Sequence, residues 1–409
     1  MFCLNAARMI LGIVAMAASK VAPLNGRFGV RERMLGPFPE GPCLWMHGAS
    51  LGECKMLLSL ANILKREPFE LPPILITTQK VEVVEYLRTS PDAKNLRYAL
   101  APLDTPQGLS RFMREAKPVM LVLAENELWP GFLSSMKARF ARPSVALVSG
   151  RFYRCASSES FDSLGFVSMQ TSADLARFMA FGEYLISAKA IVGGDWKLLS
   201  WALSEEKNFE SEKTVDTAFL SFHREELKPL LKMLRSAVSA GETAVLAPRF
   251  EEELSRFETA LSNAEIACVR WPEVRPGAVS LVCEYGKISG VLKASRSAVI
   301  GGSFARTLGV HDFWESLRTG VLTYIGPYSR GQREAVRLLL AENAIVRLKN
   351  PLEYSTRKIP DLAAAVCFLG REREKILASY RAFARFVETV VRRNSDAEPL
   401  PSKTLESPS

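Results

Sequence analysis

Three histidines in 409 residues, seven cysteines without one C-x-x-C pair, and no lysine or arginine tract interleaved with aromatics narrow the chemistry open to this chain. His47, His223 and His311 stand far apart, and neither an H-E-x-x-H run nor an aspartate cluster accompanies them. A metal site is therefore not expected. Cys3, Cys43, Cys54, Cys155, Cys268, Cys283 and Cys367 fall mostly in apolar runs. They read as buried thiols in a reducing compartment, not as a disulfide framework. The missing basic–aromatic tracts argue against nucleic acid as a partner. Internal repeats and collagen-like, Gln-rich or coiled-coil tracts are absent too.

A full-length apolar span is also lacking. Residues 2–18 are apolar apart from Asn5 and Arg8, too short a run for a membrane span, and Lys20, Arg27, Arg31 and Arg33 follow it. A secretory signal carries its charge ahead of the apolar core and ends at a cleavage site. The order here predicts a helix anchored in or lying on the inner leaflet, basic residues on the headgroups and the bulk of the chain cytoplasmic. A plain core helix is the alternative.

What the chain does have is length, a core and positive charge. Its 409 residues suggest two domains, and 48% hydrophobic against 24% charged residues is a globular profile. A net charge of +9 suits an anionic partner, a phosphorylated ligand or a membrane surface. From residue 43 to about 195, short apolar runs at 74–78, 96–101, 119–124, 144–148 and 190–192 alternate with helical patterns such as 81–88, 107–115 and 175–181. A second series of runs occupies 218–222, 244–247, 266–270, 280–283, 298–300, 321–325 and 344–348, with helical patterns at 225–238, 251–261 and 331–341. Such alternation indicates an α/β fold of doubly wound parallel sheets. The expected division is a membrane-proximal segment 1–35, a Rossmann-like domain 36–203, a polar linker 204–214, a second Rossmann-like domain 215–393 and a disordered tail 394–409. Two such domains with a cleft between them match the GT-B glycosyltransferase architecture.

Certain strand ends carry chemistry. His47-Gly48-Ala49-Ser50-Leu51-Gly52-Glu53 reads as a strand, a tight turn and a helix start, so Glu53 is either a helix cap or a general base. Glu125-Asn126-Glu127-Leu128-Trp129-Pro130 sets two carboxylates after an apolar run, as cleft groups or as an ordinary cap before Pro130. Gly301-Gly302-Ser303, followed by Arg306, Gly309, His311, Asp312 and Glu315, offers backbone N–H groups and cations to a phosphate. Arg249 after Pro248, and Lys197 after Gly193-Gly194-Asp195, add cations for an anionic ligand.

In order and spacing, these motifs resemble the 3-deoxy-D-manno-octulosonic acid (Kdo) transferases over about residues 25–345. The resemblance implies a metal-independent, inverting GT-B enzyme that needs no cofactor and moves Kdo from CMP-Kdo to a lipid A precursor in lipopolysaccharide biosynthesis. By that likeness Glu53 is the catalytic base, and Ser50, Gly52, Glu125 and Glu127 lie on the acceptor side. Lys197, Arg249, Gly286, Gly302, Ser303, His311 and Glu315 fall to the donor. The apolar amino terminus matches the family's membrane-proximal helix on the cytoplasmic face of the inner membrane. The second half departs from the family pattern: Asp312 replaces a neutral amide, Phe250 a histidine, and Lys287 an acid. Arg306 and Lys287 are expected to balance Asp312. A catalytically silent relative that binds lipid or nucleotide, or a transferase of another nucleotide sugar, are the other readings.

Overall fold

The computed structural model describes residues 2–20, 28–153, 160–181, 190–204, 212–284 and 286–395, with side chains from residue 7 onward. Arg27, Cys155 and Tyr285, most of the expected linker (205–211) and the tail from 396 lie outside the described residues. The chain divides into two compact units, Met1–Ser204 with Arg373–Ser409, and Glu205–Glu372.

The first unit is built on a seven-stranded sheet. Its strands are β1 (Cys43–His47), β2 (Ile74–Thr78), β3 (Arg97–Leu100), β4 (Pro118–Ala124), β5 (Val145–Gly150), β6 (Leu164–Met169) and β7 (Ala190–Val192). They run parallel in the order β3-β2-β1-β4-β5-β6-β7. β1, β2, β4 and β5 are buried along their whole length, as strands covered on both faces must be. Trp45, Phe112, Phe132 and Leu121 anchor the core on one face of the sheet. The order reverses between β1 and β4, which makes their carboxyl ends a topological switch point, the usual ligand position in open α/β sheets.

Two helices of this unit matter below. α1 (Phe2–Ala18) exposes Met9, Ile10, Leu11, Ile13 and Val14, while Ala15 is buried. Arg8 fixes it in place, its Nε donating to the Asp104 carbonyl at 2.9 Å and its guanidinium lying 3.4 Å from the Asp104 carboxylate. Among the described residues no helix is long and apolar enough to cross a membrane. α2 (Leu51–Leu64) follows the first tight turn.

The second unit repeats the plan with β8 (Val215–Phe222), β9 (Ala244–Pro248), β10 (Ala267–Arg270), β11 (Ala278–Leu281), β12 (Ser295–Ile300), β13 (Leu322–Ile325) and β14 (Ile345–Arg347). The order is β10-β11-β9-β8-β12-β13-β14, all parallel, with its switch point between β8 and β12. Phe219, Phe222, Phe257 and Tyr324 centre its core.

Three expectations need correction. The second domain does not run to 393: from Arg373 the long helix α3 (Leu362–Ser395) belongs to the first unit. Tyr380 donates to Glu67, Ser379 meets Ser168, and Asn394 donates to the Val119 carbonyl, which ties this stretch to the first sheet. β6 is a strand where none was expected. Nor are the cysteines uniformly buried. Cys43 and Cys54 are, but Cys268 is exposed because β10 is a sheet edge, and Cys367 lies on an outer helix face.

Candidate active site

At the carboxyl end of β1 the chain turns through Gly48-Ala49-Ser50 into α2. Ser50 Oγ accepts from the Glu53 N–H at 3.3 Å, and Glu53 Oε2 accepts from the N–H groups of Ala49 (2.6 Å) and Ser50 (2.9 Å). This is a complete capping box, so the cap reading of Glu53 is correct as geometry. It does not exhaust the residue. Burial, then the negative charges of Glu125 and Glu127, push its carboxyl up to about 7 against the pull of the two backbone donors. A carboxyl tuned to neutrality is suited to take a proton near pH 7.

Glu125 and Glu127, at the end of β4, turn to different partners. Glu125 has φ 48°, a left-handed conformation costly for a side chain with a Cβ and the kind of strain that collects at functional sites. Its carboxylate is clamped between Arg151, whose Nε donates at 3.0 Å, and Lys197, whose Nζ donates at 2.6 Å. Burial opposes its ionisation, but Lys197 and Arg151 outweigh that and hold it below the ordinary range. Lys197 is half-buried; burial opposes its charge, but Asp195 and Glu125 outweigh that and hold it above its usual value. Its Nζ lies within 4 Å of where a Cβ on Gly52 would stand, so glycine there leaves the lysine room over the first turn of α2. Glu127 instead accepts from Trp129 Nε1 at 2.6 Å and lies 3.4 Å from His47 Nε2. The His47 Nδ1 meets Thr77 Oγ1 at 3.0 Å.

Arg151 is a site residue that the sequence did not single out. It sits just beyond Gly150 at the end of β5, and Gly-Arg after an apolar run is a signal comparable to the Pro248-Arg249 pair that was noticed.

The second unit gathers residues at the ends of β8, β9 and β12. His223 Nε2 and His311 Nε2 stand 2.5 Å apart with the rings stacked. Burial, then Arg249 and His223, push His311 down to about 3, so it is neutral. Gly301 and Gly302 admit no side chain. A Cβ on Gly301 would meet the Ser221 carbonyl oxygen at 2.5 Å, and one on Gly302, at φ 73°, the Gly309 carbonyl oxygen at 2.2 Å. Glu226, fully buried, accepts from the N–H groups of His223, Gly302 (2.7 Å) and Phe304 (2.8 Å). Sequence reasoning missed it, although His-x-x-Glu after a strand is itself a helix-start pattern. Ser303 turns inward, donating to the Ile300 carbonyl and accepting from the Gly326 N–H.

The remaining expected donor residues are more dispersed. Arg249 is exposed beside Phe250. Gly286 occupies an open left-handed turn with no neighbour within 4 Å of its Cβ position. Burial, against Arg318 and helped by Asp312, raises the Glu315 carboxyl. The expected balance of Asp312 by Lys287 is not formed. Asp312 accepts from the Trp314 N–H at 2.9 Å, and Lys287 pairs with Glu284 at 3.1 Å. The aspartate is engaged as a local cap, which the sequence left open because Asp serves either purpose. Among the described residues no group of three or more His, Cys, Asp or Glu side chains could hold a metal ion.

Two parallel seven-stranded sheets, each with residues of this kind at its switch point, define the GT-B glycosyltransferase fold. The crystal structure of MurG from Acinetobacter baumannii shares it with a TM-score of 0.52 at 10% identity, over 87% of this chain and 100% of that one. A UDP-N-acetylglucosamine 2-epimerase does so with a TM-score of 0.51 at 13% identity, over 89% and 99%. Both likenesses concern the fold alone. Residues 23–198 match the model of the 3-deoxy-D-manno-octulosonic-acid transferase (kdotransferase) family. The 3-deoxy-D-manno-octulosonic acid transferase of Aquifex aeolicus is 27% identical over 320 residues, 77% of this chain and 84% of the relative. That of Bordetella pertussis is 25% identical over 397 residues, 91% and 89%. The family model thus matches most of the first unit, and the relatives are similar over most of the chain.

Proposed function

We propose that the protein is an inverting glycosyltransferase that moves Kdo from CMP-Kdo to a lipid A precursor. The observation that carries this reading is Glu53: a carboxyl raised to about 7, fixed by its own helix turn at the first switch point. In the reaction an acceptor hydroxyl gives its proton to Glu53 as its oxygen bonds to the anomeric carbon. The bond from that carbon to the CMP phosphate oxygen breaks, and CMP leaves with the electron pair. Ser50 and Gly52 shape the turn that presents the base, and Glu125 and Glu127 serve the acceptor side. Lys197, Arg249 and the loop of Gly302, Ser303 and His311 supply cations and backbone donors for the donor, with Gly286 and Glu315 at its margin. No metal or cofactor takes part in this scheme, and nucleic acid is not a partner. The apolar face of α1 and the basic residues after it support a position on the cytoplasmic face of the inner membrane, where a lipid acceptor would be met.

The test is incubation of the purified protein with CMP-Kdo and a tetraacylated lipid A precursor, alongside Glu53→Gln. Kdo transfer by the wild type and its loss in the variant support the proposal. Folded wild-type protein that shows no CMP binding by calorimetry would end the donor assignment and favour a silent relative.

A further inference from the structure

A second concavity of the first unit lies away from these residues. It has a volume of about 510 Å³, within the range of small-molecule sites. Its walls come from the amino ends of β5 and β6, from β7, and from the last turns of α3. The switch-point residues all follow carboxyl strand ends, so this is a separate place on the sheet. Ile191 and Phe386, both half-buried, form an apolar floor backed by the buried Phe166 and Val390, and Arg142, Arg385 and Arg393 contribute three guanidinium groups. No acidic residue lines the cavity. Arg393 is fixed, donating to the Pro143 carbonyl at 3.0 Å and to Ser144 Oγ at 2.9 Å. Arg142 and Arg385 are exposed, and neither has an ion pair among the described residues. Burial, then the nearby charge of Arg142, lower the Arg393 guanidinium. The floor exists because residue 165 is glycine: a Cβ there would lie 2.5 Å from the Phe386 ring, which stacks on Phe166 at 6.1 Å.

We propose that this cavity binds a single-chain anionic amphiphile, its acyl chain on the Ile191–Phe386 floor and its carboxylate or phosphate head on the three arginines. Three cations without an acid at the rim of an apolar recess complement such a molecule and repel a cationic one. The ligand class is fixed by charge and apolar area together. Inorganic phosphate alone would forfeit the floor, and a neutral alkane the arginines.

Calorimetric titration of the full-length protein with dodecyl phosphate, laurate and dodecyltrimethylammonium tests this. One equivalent of dodecyl phosphate or laurate is expected to bind, the tighter of the two naming the head group, while the ammonium compound binds at least tenfold more weakly. The exposed apolar face of α1 also attracts amphiphiles, so two variants localise the binding. Ala382→Trp fills the cavity, and the double variant Arg142→Glu with Arg385→Glu reverses its charge. Each should weaken the anion by tenfold or more while the thermal melt stays near that of wild type. Binding that survives both variants, equal affinity for the cationic amphiphile, or no binding of either anion would overturn the proposal. If Ala382→Trp fails to fold, the charge-reversed variant, altered only at exposed positions, decides the outcome.

Discussion

Glu53 caps its helix and, on the proposed reading, is also the base, and the two duties can be separated by substitution. Glutamine also completes a capping box, so Glu53→Gln should keep the helix start while lowering turnover by about 10²–10⁴, the usual cost of losing a general base. A base at about 7 is fully ionised only above neutrality, so the rate should rise with pH and level off beyond that value. Glu125 is one of the two charges that raise it, and Glu125→Gln would leave Arg151 and Lys197 facing Glu53 without their anion. The inflection of the pH–rate profile should therefore move to lower pH in that variant. An unmoved inflection would separate the two carboxylates. Stability follows the same group. Because folding raises the Glu53 pKa above its ordinary 4.5, its contribution is complete below 4.5 and is lost as pH rises through about 7. In the second unit, Gly302→Ala forces a methyl group to within 2.2 Å of the Gly309 carbonyl at φ 73°. A loss of about 1–3 kcal/mol in denaturant unfolding is expected from the backbone strain alone, with loss of nucleotide binding alongside.

At the level of elements, the strand–helix alternation was legible because each buried parallel strand is a short apolar run closed by a turn residue. β2 and β7 occupy the residues expected of them. β6 escaped because Gly165 and Ser168 break up its apolar residues Leu164, Phe166, Val167 and Met169, all of them buried. The candidate site was legible where glycine and charge coincide at a strand end, as at Glu53 and Gly302. It was not legible where a partner determines the role: Arg151 matters through Glu125, and Asp312 is set aside by the Trp314 N–H. α1 is an element whose use is decided outside the fold. Five large apolar side chains between Met9 and Val14 face solvent, while Arg8 holds the helix to Asp104. Removing residues 2–18 should shift the protein from the pellet to the supernatant when it is spun with anionic vesicles. Cosedimentation that is unchanged by the deletion would mean that α1 does not hold the protein to lipid.

For the whole molecule, the informative fact is that the first unit is not continuous in sequence. Its sheet is complete by residue 192, yet Arg373–Ser395 returns to it after the entire second unit. Ile376, Phe383, Val387 and Val390 are fully buried on α3, and burying side chains of this size stabilises by roughly 1.5–3 kcal/mol each. Their sum is of the order of the entire net stability of a typical domain, roughly 5–15 kcal/mol. Polar groups depend on the same segment. Without it the Val119 carbonyl loses its Asn394 donor and Ser168 loses Ser379 at 2.7 Å. A fragment of residues 28–204 is therefore expected not to fold cooperatively, giving a near-ultraviolet circular dichroism spectrum without fixed aromatic signals and rapid proteolysis. Fusing residues 373–395 to it through a flexible linker should restore a sharp thermal transition. The second unit, continuous from 205 to 372, carries no such dependence. A cooperative melt from the 28–204 fragment alone would show that the first sheet closes without its returning helix.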